Sequence, residues 1–204
     1  MGETVEALAE GRCMSSVYAI KAEVADWSQR VLEAACDEFA GLPPCPFARG
    51  AWVDGKVSVD VVDCFDQVAL DADAFDPESD AVWVYALIDS GGMTVEQMDN
   101  TIALFNKYHG GVWMMGSHHL APSNELMPDF EATTDVDYGL VLVQSLKHLV
   151  VASDKLRDSG YYDGFNSDEL AYVERRKEQY NAWNEAWNEE DRHNGREEDE
   201  RREA

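Results

Sequence analysis

Positive charge is scarce in this sequence. Lysine and arginine together number 16 against 41 aspartates and glutamates, which leaves a formal net charge of -25 at pH 7. Residues 167–204 hold 13 acidic and 7 basic groups, so 28 acidic and 9 basic groups, net -19, remain on residues 1–166. A surface of this sign repels phosphate backbones and anionic lipid. The balance therefore disfavours ordinary nucleic-acid binding and membrane-surface binding, and we favour an acidic surface tuned for solubility over a nucleic-acid mimic.

Long apolar runs are also missing. No stretch approaches the ~18–20 apolar residues that a membrane-spanning helix needs, and residues 1–12 lack the basic segment of a secretory signal. We therefore expect a soluble, cytoplasmic protein whose cysteines are free thiols. The cysteines are Cys13, Cys36, Cys45 and Cys64. None of them forms a Cys-x-x-Cys pair, so a zinc knuckle is disfavoured.

Familiar catalytic fingerprints do not occur. The sequence has no P-loop, no dinucleotide-type glycine motif, no Gly-x-Ser-x-Gly elbow and no His-Glu-x-x-His. Nucleotide-binding, hydrolase and zincin classes are therefore disfavoured.

What the sequence does contain is a clear alternation of helical and extended patterns. Apolar residues at three-and-four spacing predict several helices. They run from Ser15 or Ser16 to about Ala40, from Phe65 to Ala74, from the Thr94–Gln97 capping box to about His109, from Tyr138 to Arg157, and from Ser167 onward. Residues 2–10 are predicted to form a further short helix.

Extended patterns predict about four strands. Ala51–Val53 and Lys56–Val62 flank Asp54-Gly55, a strong signal for a type I′ hairpin. The apolar run Ala81–Ile88 is typical of a central strand, and Val112–Ser117 forms another. The predicted fold is a single α/β or α+β sandwich over residues 1–166, with an N-terminal hairpin and helices packed on the sheet.

The last helix is predicted to carry an apolar stripe. Its members repeat at near-heptad spacing and are Leu170, Val173, Tyr180, Trp183 and Trp187. The stripe either docks on the body of its own chain, which we favour, or pairs with another subunit or a protein partner. From Glu189 on, the chain is charged without apolar positions, and we expect it to be disordered.

The candidate site lies in a proline-rich connector between the first helix and the first strand. Pro43, Pro44 and Pro46 restrict the backbone on both sides of Cys45, so its thiol is held on a rigid element. A packed structural cysteine is the simplest interpretation, because free cysteines are among the most buried residues.

A second reactive segment, His118-His119, follows the predicted strand Val112–Ser117. A histidine beside Cys45 would lower the pKa of the thiol and create a nucleophilic thiolate. The same side chains, with Asp129 or Glu125, would alternatively hold a transition metal. Adjacent histidines at a strand end are expected to point in opposite directions, so at most one of them would face such a site.

These segments resemble an uncharacterised bacterial family. The resemblance covers about residues 24–156 and rests on Cys45-Pro46-Phe47-Ala48, on Phe105-Asn106 in a helix, and on Ser117-His118-His119 at a strand end. It implies that Cys45 groups with His118 or His119, and it names no substrate.

Two functions are therefore expected from the sequence. The first is a thiol-dependent enzyme or metal-binding protein that uses Cys45 with His118 or His119. The alternative is a non-catalytic interaction or assembly protein that uses its acidic surface and its C-terminal helix.

Overall fold

The computed structural model describes residues 16–121 and 136–203, with side chains described as far as Asn188. The predicted helix at residues 2–10, Cys13, and the candidate ligands Glu125 and Asp129 lie outside the described residues. The side chains of the charged segment from Glu189 on do so as well.

The described chain folds around one mixed sheet. Its strands are β1 (Val57–Val62), β2 (Val82–Ile88), β3 (Val112–Ser117) and β4 (Tyr138–Ser145). The order in the sheet is β1-β2-β4-β3. The first pair is parallel, and β4 is antiparallel to both of its neighbours, so β1, β2 and β3 point the same way.

Helices pack on both faces of this sheet. They are α1 (residues 16–27), α2 (Ala48–Val53), α3 (Phe65–Asp73), α4 (Val95–Tyr108), α5 (Leu146–Leu156) and α6 (Ser167–Glu203). The predicted class, an α+β sandwich with a four-stranded sheet and a long C-terminal helix, is confirmed. No described helix has the length and apolar character that crossing a membrane requires.

The predicted N-terminal hairpin is wrong. Ala51–Val53 belongs to α2, and β1 pairs in parallel with β2 instead of with a preceding strand. The Asp54-Gly55 turn ends a helix: Lys56 N–H donates to Ala51 O and Gly55 N–H donates to Trp52 O, at 2.9 and 3.1 Å. This is a Schellman motif, which needs a left-handed residue, and Gly55 supplies it at φ 69°.

The predicted helix Tyr138–Arg157 is wrong in its first half. Tyr138–Ser145 is β4, in the interior of the sheet, and Ser145 caps α5 by accepting a hydrogen bond from His148 N–H. A strand buried on both faces is apolar without alternation, which is why it is mistaken for a buried helix. Four strands were expected and four are described, but β4 replaces the first arm of the predicted hairpin.

The first helix is shorter than predicted. It continues beyond residue 27 as a π-helical turn, Ser28–Leu32, and the chain then makes a separate short helical turn at Asp37–Phe39. Ala40 and Gly41 adopt left-handed backbone angles and lead into the proline connector.

Each face of the sheet has its own core. The α3 and α4 helices cover one face, where the buried residues include Phe65, Val68, Tyr85, Leu87, Met98, Met114, Val141 and Val143. The α1 helix covers the other, with Ile20, Val24, Trp27, Val84, Ala86, Tyr138 and Leu140. The sheet is thus the middle layer of the fold.

The outer edge of the sheet at β3 is closed by α4. Asn106 is buried, and its side chain accepts from Met114 N–H at 2.7 Å and donates to Met114 O at 2.8 Å. These are the backbone groups that an edge strand leaves unpaired, so one amide side chain protects β3 from pairing with another strand.

The α6 helix docks on the body of its own chain. Val173 is buried, and the Trp183 ring lies over Gly110 and Gly111, where any Cβ atom would come within 2.7 Å of it. Tyr172 and Tyr180 pack against a small core formed by β3 and α5, whose buried members are Trp113, Leu146 and Val150. Most of the apolar stripe therefore packs against the body of its own chain, although Trp187 is 56% exposed.

Candidate functional site

A large cleft opens on the α1 side of the sheet. Its volume is about 1030 Å³, and its floor consists of side chains near the start of β1 and β2 and the adjoining parts of β3 and β4. The floor residues are Val57, Val82, Val84, Met115, Leu142 and Gln144. The end of α1, the proline connector and α2 form one wall, while α5, α6 and the segment between them form the other.

The proline connector is tied to both walls of this cleft. Cys45 N–H donates to Leu32 O at 3.0 Å, and Cys45 O accepts from Ala48 N–H at 3.1 Å. Across the cleft, the Tyr161 hydroxyl donates to Pro44 O. The predicted rigid presentation of Cys45 is therefore present, and the thiol lines the cleft.

The environment of Cys45 does not activate its thiol. Burial is the largest influence and raises the pKa of the Cys45 thiol, although hydrogen bonds from the backbone of Phe47 and Ala48 oppose it. The Glu33 carboxylate raises that pKa further. The neutral thiol is therefore the form present at neutral pH, whereas nucleophilic attack and metal binding both require the thiolate.

The two histidines lie outside the cleft. They follow the C-terminal end of β3, whereas the cleft floor contains Val57 and Val82, at the N-terminal ends of β1 and β2. Because the three strands point the same way, these positions are at opposite ends of the sheet. The structure does not bring Cys45 together with His118 or His119. The described residues also contain no group of three side chains suited to hold a metal ion.

Both histidines make local hydrogen bonds. His118 is buried; its Nδ1 accepts from Leu120 N–H at 3.0 Å, so its Nε2 carries the hydrogen that bonds to Met93 O at 2.8 Å. The His119 ring stacks on that of His118 with centroids 4.4 Å apart. The expectation that the two side chains point in opposite directions is wrong, because both residues follow β3 and leave the strand alternation.

The His119 side chain contacts a strained loop, Asp89-Ser90, that was not predicted as part of a site. Its Nδ1 lies 2.8 Å from Ser90 Oγ, and its Nε2 lies 3.8 Å from an Asp89 carboxylate oxygen. Asp89 and Ser90 adopt φ values of 46° and 47°. Ser90 is fully buried, and its Oγ also accepts from His119 N–H. The hydroxyl is thus used to join the ends of β2 and β3, and it is not exposed to a substrate.

A buried arginine is the residue that sequence reasoning missed. Arg176 lines the cleft and is only 7% exposed. Within the described residues, its Nε has no hydrogen-bond partner. The sequence does contain a signal for its burial. Arg176 lies between Val173 and Tyr180 at the three-and-four spacing of the apolar stripe, which places it on the docking face of α6.

Aromatic side chains form much of the cleft wall. Tyr161 contacts Phe39, Tyr162 and Phe165, with ring centroids 5.0 to 5.8 Å apart. On the opposite wall, Trp52 Nε1 donates to Ser28 Oγ at 2.7 Å, which fixes the indole in place. Both walls therefore present rigid flat surfaces, and the floor is mainly aliphatic.

Comparisons with known proteins do not assign the chain to a group. No model of a protein family matches the sequence, and neither the curated proteins nor the solved structures contain a match. The resemblance to a family with a Cys-Pro-Phe-Ala motif therefore stays a prediction, and function has to be argued from the geometry of the site.

Proposed function

We propose that this protein binds a small organic molecule with an apolar body in the cleft above β1 and β2. The observation that carries the proposal is the cleft itself, about 1030 Å³ in volume with an aliphatic floor and aromatic walls. Natural ligand pockets are commonly ~300–1,000 Å³ and are lined mostly by apolar and aromatic side chains with a few polar groups.

Binding is better supported than thiol or metal chemistry. A thiol-dependent reaction or a shared metal would need Cys45 beside His118 or His119, and neither histidine lines the cleft. Burial also raises the pKa of the thiol. Cys45 is therefore assigned to the cleft wall as a ligand-contacting side chain, and a catalytic role for it or for the histidines stays a prediction.

The assembly hypothesis has less support. It needs the apolar stripe of α6 as an outer surface, yet Val173 is buried and Trp183 packs on Gly110 and Gly111. The exposed members of the stripe are the two at its ends, Leu170 and Trp187.

The cleft can be tested with Nile red, a neutral flat dye that fluoresces in apolar surroundings. We expect saturable binding at one site per chain. Ala152→Phe places a ring in the cleft from α5 and should weaken binding by about tenfold or more, a change of roughly 1.4 kcal/mol. Ala103→Phe is the matched control, because Ala103 is exposed on α4 and does not line the cleft. Absence of saturable binding, or equal weakening by both variants, would refute the proposal.

A further inference from the structure

Arg176 is an unusual residue for this chain. Acidic side chains outnumber basic ones by 41 to 16, so a carboxylate partner should be easy to find. Within the described residues, however, Arg176 is buried without an ion pair, and its Nε bonds to nothing. Burial lowers the pKa of its guanidinium, and the nearby groups that oppose this shift are tyrosines, not carboxylates. A buried cation without a counter-ion is costly, so its retention needs a reason.

Two neighbouring cations on the same interface are paired with carboxylates. Lys177 contacts the Asp154 carboxylate at 2.8 Å, and Arg157 contacts Asp154 at 2.9 Å and Glu174 at 2.7 Å. These pairs join α5 to α6 on the outside of the helices. Among the described residues, the hydrogen bond of Arg176, on the inner side, is a long one from Nη2 to Ser153 Oγ at 3.4 Å. Within the described residues, Arg176 thus lacks the carboxylate partner that Lys177 and Arg157 have on the outer side of this interface.

The Arg176 guanidinium lines the cleft in an orientation fixed by a neighbouring ring. The Tyr172 ring covers the guanidinium at 5.3 Å from Cζ, which orients the planar group. Guanidinium N–H groups match a carboxylate in a bidentate arrangement, and such charge-assisted bonds are strong where water is excluded.

The charge around the cleft favours a carboxylate over a phosphate ester. Glu38 and Asp168 are exposed at its rim, Glu169 is half-buried, and Arg175 is exposed. With Arg176 included, the lining carries three acidic and two basic side chains and is net negative. A dianionic phosphate would be repelled by this rim, whereas a monoanion would neutralise the single buried cation.

We propose that the ligand of the cleft is an organic monocarboxylate, whose carboxylate pairs with the Arg176 guanidinium while its apolar body lies between the aromatic walls. This inference rests on the proposed binding function and adds the chemical class of the ligand. The apolar body accounts for the size of the cleft, and the carboxylate supplies the counter-ion that the described residues do not provide.

A matched pair of ligands tests this directly. By calorimetry at neutral pH, we expect 2-naphthoate to bind about tenfold or more tightly than 2-naphthamide, which has the same shape without the charge. Arg176→Met should abolish this preference and keep the affinity for the amide. Lys107→Met is the control, because it removes an exposed cation on α4 that does not line the cleft, and it should preserve the preference. Arg176→Lys keeps a charge without the planar fork and should give an intermediate ratio.

The same measurements separate a wrong ligand class from a wrong binding function. Equal binding of acid and amide to the unaltered protein would overturn the carboxylate assignment and leave the cleft's binding function standing. Binding of neither would overturn both. Tighter binding of 2-naphthyl phosphate than of 2-naphthoate would overturn monocarboxylate as the class.

Stability gives a second readout that a merely structural arginine would not produce. Because the described residues supply no counter-ion for the buried charge, Arg176→Met should keep or raise the Tm of the ligand-free protein. At one fixed concentration, 2-naphthoate should raise the Tm of the unaltered protein by more than that of Arg176→Met, whereas 2-naphthamide should raise both by the same amount. A large fall in Tm for Arg176→Met, with an unchanged Tm on adding 2-naphthoate to the unaltered protein, would show that Arg176 only supports the fold.

Discussion

At the scale of single residues, the cleft disfavours charge of either sign. Burial raises the pKa of the Cys45 thiol and lowers that of the Arg176 guanidinium, so both groups are displaced toward their neutral forms. The cause is the same for both, since a charged group loses hydration when it is enclosed by apolar side chains. A bound anion would raise the pKa of the Arg176 guanidinium again by supplying a counter-charge, but it would not activate Cys45.

The state of Cys45 leads to a prediction on thiol reactivity. Iodoacetamide should alkylate the exposed Cys64 before the half-buried Cys45 at pH 7, by about tenfold or more, because only the thiolate attacks. The Cys45 rate should keep rising with pH beyond the ordinary cysteine pKa of about 8.5. Site-resolved mass spectrometry measures both rates, and Cys45→Ser identifies the slow site. If Cys45 proved the faster thiol at pH 7, the thiol-dependent enzyme hypothesis would return.

Residue-level prediction succeeded where local chemistry decides the outcome. Three prolines restrict the backbone around Cys45 whatever surrounds it, so the rigid connector could be predicted from sequence. The partners of Cys45 could not be predicted from sequence, because they depend on which end of the sheet each segment reaches. His118 follows the far end of β3, and Arg176 comes from a helix more than a hundred residues away along the chain.

At the scale of elements, the wrong hairpin and the wrong helix have the same cause: one local sequence signal is compatible with two different structures. Asp54-Gly55 suits a hairpin and equally suits the Schellman end of α2. The apolar run of β4 suits a buried helix and equally suits a strand covered on both faces. The Thr94–Gln97 capping box has a single use, and α4 begins where that motif predicts. Tertiary pairing, which no local pattern contains, selects between the alternatives.

The α6 helix provides a prediction at this scale. A chain that ends after Gly164 loses Val173 from the core and the Tyr172 contact to Trp113, whose indole N–H donates to the Tyr172 hydroxyl at 3.2 Å. Because a buried large side chain contributes roughly 1.5–3 kcal/mol, the free energy of unfolding should fall by several kcal/mol. Chemical denaturation measures the change.

A second truncation, after Asn188, is the control for this experiment. It keeps the docked part of α6 and should leave the free energy of unfolding unchanged within about 0.5 kcal/mol. If both truncations left stability and solution mass unaltered, α6 would not be part of the body. A change of solution mass without loss of stability would instead favour the assembly hypothesis.

At the scale of the whole molecule, two layers of helix enclose one sheet, and several tyrosines buried in this packing cannot ionise freely. Burial raises the pKa of Tyr85, Tyr138 and Tyr161 well above the ordinary value of about 10. The carboxylates of Asp71 and Glu23 raise it further for Tyr85 and Tyr138, respectively. The net charge of -25 makes additional negative charge more costly still.

These tyrosines predict a loss of stability in alkali. Below about pH 10 they are neutral in both states and contribute their full stability. Above it, the unfolded chain releases protons that the folded chain retains, so the free energy of unfolding should fall by up to about 1.4 kcal/mol per pH unit for each buried tyrosine. Urea unfolding between about pH 9 and pH 12 measures the slope. Tyr85→Phe removes one such group and its hydrogen bond to Asp71, and should make the slope shallower. A constant stability over this range, or an unchanged slope in the variant, would show that the buried hydroxyls ionise as freely as those in water.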